Sequence, residues 1–150
     1  MANTYTQIYI HIVFAVHGRQ NLISQNHKEE LYKYITGIVQ NKRQKMMAIN
    51  GMPDHIHLLI SLSRSISLSD LVSKIKASSS RWIKTKEGGH ANFAWQNGYG
   101  AFSIGQSGFQ SCARYIANQK EHHKKISFED ELRTLFNKYQ IKFDENYCWI

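Results

Sequence analysis

The spacing of hydrophobic and polar positions predicts alternating strands and helices in the first half of the chain. Residues 6–16 (TQIYIHIVFAV) are rich in Ile, Val, Tyr and Phe, and their near-continuous apolar character predicts a strand at the centre of a sheet. Residues 25–41 carry apolar side chains at helical spacing, which predicts the first helix. Residues 46–50 and 55–62 predict two further strands, joined into a hairpin by the turn-forming residues 51–54 (GMPD).

The second half of the chain continues this alternation. Residues 68–86 predict a second helix, which either Ser67 or Ser69 caps and which ends before Gly88. The remaining predicted elements are a fourth strand, weakened by its glycines, and two C-terminal helices, over residues 95–104, 110–125 and 128–139.

The resulting order, β-α-β-β-α-β followed by helices, predicts a ferredoxin-like α/β sandwich. Right-handed crossovers then give an antiparallel sheet with helices on one face and the other face free to bind a ligand. Neither an internal repeat nor a long linker occurs, so residues 1–150 are predicted to form one domain. RNA-recognition modules share this architecture, and the fold alone therefore leaves the function open.

Composition narrows the setting in which the protein works. At 42% hydrophobic residues the chain can build a core, and no run of about 18 apolar residues predicts a membrane span. Residues 1–7 do not resemble a signal peptide, which favours a cytoplasmic location. Cys112 and Cys148 fit neither a disulfide framework nor a zinc motif, and reduced thiols are the expectation.

The charge balance favours a polyanionic partner. Lys and Arg number 19 against 11 acidic residues, a net charge of +8, and phosphate contacts by such side chains supply most of non-specific nucleic-acid affinity. The candidate DNA-contacting residues are one arginine after the first strand and three cations of the second predicted helix, namely Arg19, Lys74, Arg81 and Lys84. An ordinary solvated face is the alternative. Trp95 and Tyr99 could stack on unpaired bases, although core packing is the stronger interpretation for Trp95.

Two histidines begin the third predicted strand. Side chains two apart on a strand point to the same face, so His55 and His57 project together while Ile56 faces the core. Paired imidazoles supply half of a metal site. With eight histidines in the chain, a chance pair is an open alternative.

A tyrosine and a glutamine share one face of the predicted helix over residues 110–125. Tyr115 and Gln119 are four apart. Tyrosine can act as a covalent nucleophile, and the amide oxygen of glutamine suits Mg²⁺ or Mn²⁺. Taken alone, such a pair is also compatible with an ordinary amphipathic face. Together with His55 and His57, it predicts a metal site with open positions for a phosphate oxygen and water, next to a nucleophile.

These motifs resemble a known family. GMPDHIHLLISL, AWQNGYGAFSIG and ARYIANQ, in this order, are similar to the single-tyrosine transposases of the His-hydrophobic-His (HUH) superfamily, the insertion-sequence 200-like group. The opening strand IYIHIVFAVHGR also resembles the start of that family, so the similarity extends from about residue 5 to residue 123.

The resemblance implies a role for each motif residue. His55, His57 and Gln119 match the metal ligands, and Tyr115 matches the nucleophile that forms a 5′-phosphotyrosine and frees a 3′-OH. It further implies a homodimer, in which Tyr115 can act in either subunit's site, and single-stranded or hairpin DNA as substrate. The tail EHHKKISFEDELRTLF resembles the REP-associated tyrosine transposase branch as much as the mobile-element branch.

Other assignments stay open at the level of sequence. A non-catalytic single-strand nucleic-acid-binding module would need only the basic surface and the bare sheet. A histidine-based metal hydrolase would form no covalent protein–DNA adduct. His122 and His123 follow Gln119 and could contact phosphate or assist proton transfer, but a solvated helix end is the favoured expectation because cations are stabilised near a helix C-terminus.

Overall fold

A computed structural model of the chain describes residues 3–146. The strands are β1 (Tyr9–Ala15), β2 (Lys45–Met52), β3 (His55–Ser61) and β4 (Gly100–Ile104). The α-helices are α1 (Lys28–Asn41), α2 (Leu68–Lys84), α3 (Phe109–Ala117), α4 (Gln119–His122) and α5 (Phe128–Lys138). Short 3-10 turns cover His17–Arg19 and Gln106–Gly108.

The strands form one antiparallel sheet in the order β2-β3-β1-β4, the ferredoxin-like arrangement that the sequence predicts. The apolar β1 is central, as expected. The fourth strand is shorter than predicted because Trp95 makes only an isolated bridge with Val16. Gln96 makes two hydrogen bonds with the backbone of Ala15. Its side-chain oxygen accepts from the Ala15 N–H at 2.7 Å, and its backbone N–H donates to the Ala15 carbonyl at 2.9 Å.

One face of the sheet packs against α1 and α2 and holds the larger core. Alternation along β1 and β3 directs Ile12, Phe14, Ile56 and Leu58 to this side, where they are fully buried. Ser67 precedes the helix α2, and its hydroxyl accepts from the Asp70 N–H at 3.1 Å, so Ser67 and not Ser69 is the cap.

The opposite face is covered, and the prediction of a bare sheet is wrong. The helix α5 lays an apolar stripe across β1 and β4, against Val13, Ala15 and Phe102. The stripe consists of Phe128, Leu132, Leu135 and Phe136. Burial of each side chain stabilises the fold by roughly 1.5–3 kcal/mol relative to exposure in water. The C-terminal helices therefore form a third layer.

The helix predicted over residues 110–125 is interrupted at Asn118, whose backbone (φ −98°, ψ 22°) leaves helical geometry. The Asn50 side chain on β2 donates to the carbonyls of Ile116 and Ala117 at 3.0 and 3.1 Å, which holds the end of α3 against the sheet. Tyr115 and Gln119 consequently lie on two helices rather than one.

Two further expectations concern thiols and membranes. Cys112 is a free thiol, and burial raises its pKa to about 11. Cys148 lies outside the described residues. Among the helices of residues 3–146, none combines the length and apolar character needed to cross a bilayer.

Candidate active site

The two motif histidines project together from β3, as predicted. His55 and His57 lie on the face that α5 covers, whereas Ile56 is buried in the core on the other face. Both imidazoles are almost completely buried, yet their neighbours include polar side chains. The prediction that they share one face is confirmed.

Asp54, the last residue of the hairpin turn, orients His55. Its carboxylate accepts from Nδ1 of His55 at 2.7 Å, so Nε2 is directed at the cluster. Burial opposes protonation of His55, but hydrogen bonds to Asp54 and Glu131 prevail and raise its pKa. A carboxylate behind an imidazole is the usual outer partner of a metal-binding histidine.

His11 on β1 plays the equivalent part for His57 and was missed from sequence. Its Nε2 lies 2.9 Å from Nδ1 of His57, and the two rings face each other across paired strands. Burial, and then the neighbouring His57, lower the pKa of His11 to about 3, so it is neutral and can accept or donate this hydrogen bond. A histidine inside an otherwise apolar strand was the available signal.

Tyr115 reaches the cluster from α3 within the same chain. Its ring lies 5.8 Å from that of His57, centroid to centroid. The hydroxyl donates a hydrogen bond to Oε2 of Glu131. Burial and the adjacent Glu131 charge raise the pKa of Tyr115 well above its usual range, so the hydroxyl is held as a neutral phenol.

Gln119 turns inward from α4 and is completely buried. Its Oε1 lies 3.3 Å from Nε2 of His55, and its Nε2 donates to Oε2 of Glu131 at 3.1 Å. The amide oxygen is therefore presented beside the imidazole that a shared metal would contact, as the sequence argument requires.

Glu131 of α5 occupies the centre of the cluster and was not predicted. Its Oε1 lies 3.1 Å from Nε2 of His57, 3.1 Å from Nε2 of His123 and 3.5 Å from Nε2 of His55. Burial would raise the pKa of Glu131, but hydrogen bonds from His123, His55 and His57 prevail and hold it well below its usual range. An acidic residue inside the apolar stripe of α5 was the sequence signal.

The expectation of a solvated helix end at His122 and His123 is wrong for His123. Its side chain is 8% exposed and contacts Glu131, because α4 ends against the sheet and turns into α5. His122 is more exposed, and its Nε2 lies 3.3 Å from both the Tyr115 hydroxyl and Oε2 of Glu131.

The cluster has the composition of a divalent-metal site. His55, His57, His123 and Glu131 each offer one ligand atom, and these atoms all lie within 4.8 Å of one another. Imidazole and carboxylate together suit Mn²⁺ or Zn²⁺, and carboxylate with amide oxygen suits Mg²⁺. The donor set therefore fits a divalent ion.

A cavity of about 570 Å³ opens beside the cluster, between α3 and α5. Its lining includes Tyr115, Glu131 and His11 at the inner end, and Lys138 and Tyr139 of the C-terminal helix. Apolar side chains, glycines and the hydroxyl groups of several serines and a threonine line most of the rest. The candidate nucleophile Tyr115 therefore lines this cavity together with Glu131.

The three cationic candidates of α2 lie away from the cluster, whereas Arg19 lies beside α5. Lys74, Arg81 and Lys84 are exposed on α2, on the other side of the sheet. Arg19 pairs with Glu129 of α5 at 2.7 Å. The core interpretation of Trp95 is confirmed, since its indole N–H donates to the buried Ser79 hydroxyl at 2.9 Å.

Replacing His11 by leucine tests its positioning role. Leucine has a similar volume but cannot hold Nδ1 of His57, so we expect Mn²⁺ affinity to fall about ten- to a hundredfold although no candidate ligand is removed. Calorimetric titration measures this, with Tyr9→Phe on the same strand face as the control. Unchanged affinity in His11→Leu would show that His11 only packs.

The chain is similar to several known proteins. The family model described as "Transposase IS200 like" matches residues 4–119. The ISDra2 transposase TnpA of Deinococcus radiodurans is 22% identical over 120 residues, which cover 77% of this chain and 86% of that protein. A crystal structure of a transposase from Deinococcus radiodurans R1 superposes with a TM-score of 0.60 at 20% identity, covering 79% of this chain and 95% of that one. A REP-associated tyrosine transposase bound to a REP hairpin superposes with a TM-score of 0.63 at 16% identity, covering 84% of this chain and 74% of that one. Since the family model spans most of the chain, the protein belongs to the IS200-like transposases, the single-tyrosine group of the HUH superfamily.

Proposed function

We propose that this transposase cuts and rejoins single-stranded DNA through a 5′-phosphotyrosine on Tyr115. The observation that carries the proposal is the placement of the Tyr115 hydroxyl and the His55–His57 pair within one chain, around a common centre. A hydroxyl nucleophile next to groups that can hold a cation is the arrangement that phosphoryl transfer requires.

We assign the metal to His55, His57 and Gln119, with Mg²⁺ or Mn²⁺ as the ion. When bound, the ion would polarise the phosphodiester and stabilise the charge that develops on its oxygens. Asp54 and His11 orient the two imidazoles from behind. The inward turn of α4 brings the Gln119 oxygen to the same point.

The bond changes balance without an external energy source. The Tyr115 oxygen loses its proton and forms a bond to phosphorus, while the bond from phosphorus to the 3′ oxygen breaks and that oxygen gains a proton. Attack by another 3′-OH reverses these changes and frees Tyr115. Because the phosphotyrosine conserves the diester bond, rejoining needs no ATP.

DNA recognition is proposed to involve hairpins and the cations Arg19, Lys74, Arg81 and Lys84. The last three lie behind the sheet, so they would meet DNA away from the cut. If four cations each neutralise one phosphate, hairpin affinity should fall about a hundredfold between about 50 and about 200 mM salt. Fluorescence anisotropy across that range measures the slope.

The salt slope is the change in the logarithm of hairpin affinity with the logarithm of salt concentration. Neutralising Arg81 and Lys84 together should reduce the magnitude of this slope by about two, because each phosphate contact contributes about one. Lys142→Ala, an exposed lysine outside α2, is the control. A slope that is flat in the unmodified protein, or identical in the double variant, would remove these residues from the DNA-binding surface.

A homodimer is proposed from the family resemblance. Because one chain brings Tyr115 beside its own histidines, exchange of helices is not required to assemble a site. Sedimentation at micromolar concentration checks the assembly, and a 17.4 kDa particle would contradict it. The mobile-element and REP-associated branches both remain compatible with this proposal.

A further inference from the structure

The helix α5 places a carboxylate where the substrate phosphate has to arrive. Glu131 is 1% exposed, and its two oxygens contact four imidazoles, the Tyr115 hydroxyl and the Gln119 amide. A carboxylate and a phosphate are both oxygen anions that a metal and a set of N–H donors bind. As α5 lies, the Glu131 carboxylate occupies the position between the Tyr115 hydroxyl and Nε2 of His57.

The separations around Glu131 fit a ligand set closed around one ion. Metal–ligand distances of about 2.0–2.1 Å in a four-coordinate site put neighbouring ligand atoms about 3.3 Å apart. The Oε1 atom of Glu131 lies 3.1, 3.1 and 3.5 Å from the imidazole nitrogens of His57, His123 and His55. These three separations bracket the expected value, and the ligand atoms of His55, His57, His123 and Glu131 all lie within 4.8 Å of one another.

The helix is also fastened over the site at its N-terminal end. Ser127 caps it through the Asp130 N–H at 3.2 Å, the Phe128 ring stacks on His55 at 4.1 Å, and Glu129 pairs with Arg19 at 2.7 Å. Because α5 takes no part in strand pairing, a shift of its N-terminal end breaks no hydrogen bond between strands.

We propose that Glu131 and His123 complete the metal site of the resting protein, and that the scissile DNA phosphate takes the place of the Glu131 carboxylate when α5 lifts. The inference rests on the proposed function and names the form the site takes before substrate arrives. The ligand exchange also releases the Tyr115 hydroxyl, which in the closed form donates its proton to a hydrogen bond with Glu131.

The donor set also determines which cation the closed form takes. Three imidazoles and one carboxylate, beside the amide oxygen of Gln119, favour a transition-series divalent ion such as Mn²⁺ or Zn²⁺ over Mg²⁺, which prefers oxygen ligands. The closed protein should therefore bind Mn²⁺ well and Mg²⁺ poorly. The difference between the two ions should shrink in His123→Ala, because that variant has one imidazole fewer.

The first test is Mn²⁺ titration of the full chain without DNA, comparing Glu131→Gln with Asp130→Asn. Asp130 is adjacent on α5, 65% exposed, and outside the cluster. We expect Glu131→Gln to weaken Mn²⁺ binding at least about tenfold, since removing even an outer partner of a metal ligand lowers metal affinity by that factor. Asp130→Asn should leave Mn²⁺ affinity unchanged. His123→Ala, which removes no α5 side chain, should weaken Mn²⁺ binding as well and serves if Glu131→Gln fails to fold. Mn²⁺ affinity that is equal in wild type, Glu131→Gln and His123→Ala would overturn the proposal.

The second test follows α5 itself by hydrogen exchange. In Tyr115→Phe protein with Mn²⁺, adding a single-stranded hairpin substrate should speed amide exchange in α5, because Glu131 gives up its place. Exchange in α5 that stays slow in the DNA complex would overturn the proposal.

The two proposals fail in different ways. If the proposed function alone were wrong, the covalent adduct would be missing while the differences in Mn²⁺ affinity persisted. If this inference alone were wrong, the adduct would form and the differences in Mn²⁺ affinity would vanish.

Discussion

Replacing Tyr115 by phenylalanine is expected to abolish the covalent protein–DNA complex, lowering its rate of formation at least about a thousandfold, the scale on which loss of a nucleophile lowers covalent catalysis. The substitution removes one hydroxyl. Glu131 keeps its contacts with the histidines and with Gln119, so the free energy of unfolding should change by no more than about 1–3 kcal/mol. Metal and hairpin binding should persist. Denaturing gel electrophoresis of labelled DNA measures the loss.

Tyr139→Phe is the matched control for this variant. Tyr139 lines the same cavity but stacks on Phe102, with ring centroids 4.9 Å apart, and does not contact the histidines. It should form the complex at the wild-type rate. An adduct that survives in Tyr115→Phe would transfer the nucleophile assignment to another tyrosine, Tyr139 first and then Tyr147, which lies outside the described residues.

Replacing His57 by alanine is expected to remove metal binding, with Mn²⁺ affinity falling by more than about a hundredfold. His57 contacts Glu131 and His11. Removing only an outer partner of a metal ligand lowers metal affinity about ten- to a hundredfold, so removing a ligand should cost more. DNA cutting should fall with the metal and return in part at high Mn²⁺, because Tyr115 and His55 remain. Calorimetry and the gel assay give the two readouts.

The control for the histidine variant is His90→Ala, an exposed histidine of the loop before β4. Because alanine leaves a cavity at a fully buried position, near-UV circular dichroism must show that His57→Ala is folded. A folded His57→Ala protein that binds Mn²⁺ and cuts DNA as wild type does would remove His57 from the site.

The fold followed from local patterns because each pattern acts within a few residues. The strand periodicity of residues 55–61 fixes which face His55 and His57 occupy, and the apolar run of β1 fixes its central place. The break at Asn118 did not follow, because it depends on Asn50 binding two carbonyls from a different part of the chain. Local helix propensity contains no such information.

The sequence predicts residues of the candidate site only where they form a motif along the chain. His55, His57, Tyr115 and Gln119 lie in short recognisable segments, and the structure brings them together. His11 and Glu131 reach the same point through strand pairing and the docking of α5, which are tertiary contacts. The covered sheet face also removes the surface that the alternative, a non-catalytic nucleic-acid-binding module, was expected to use.

The measurement that tests the central claim most directly is the chemical identity of the link between protein and DNA. Wild-type protein is incubated with a labelled single-stranded hairpin from its own genomic flanks and Mn²⁺, then digested, and the labelled peptide is sequenced by mass spectrometry. The account predicts a 5′-phosphate on the Tyr115 oxygen and a free 3′-OH on the other fragment. Cut DNA with no attached peptide would contradict it and identify a hydrolase instead.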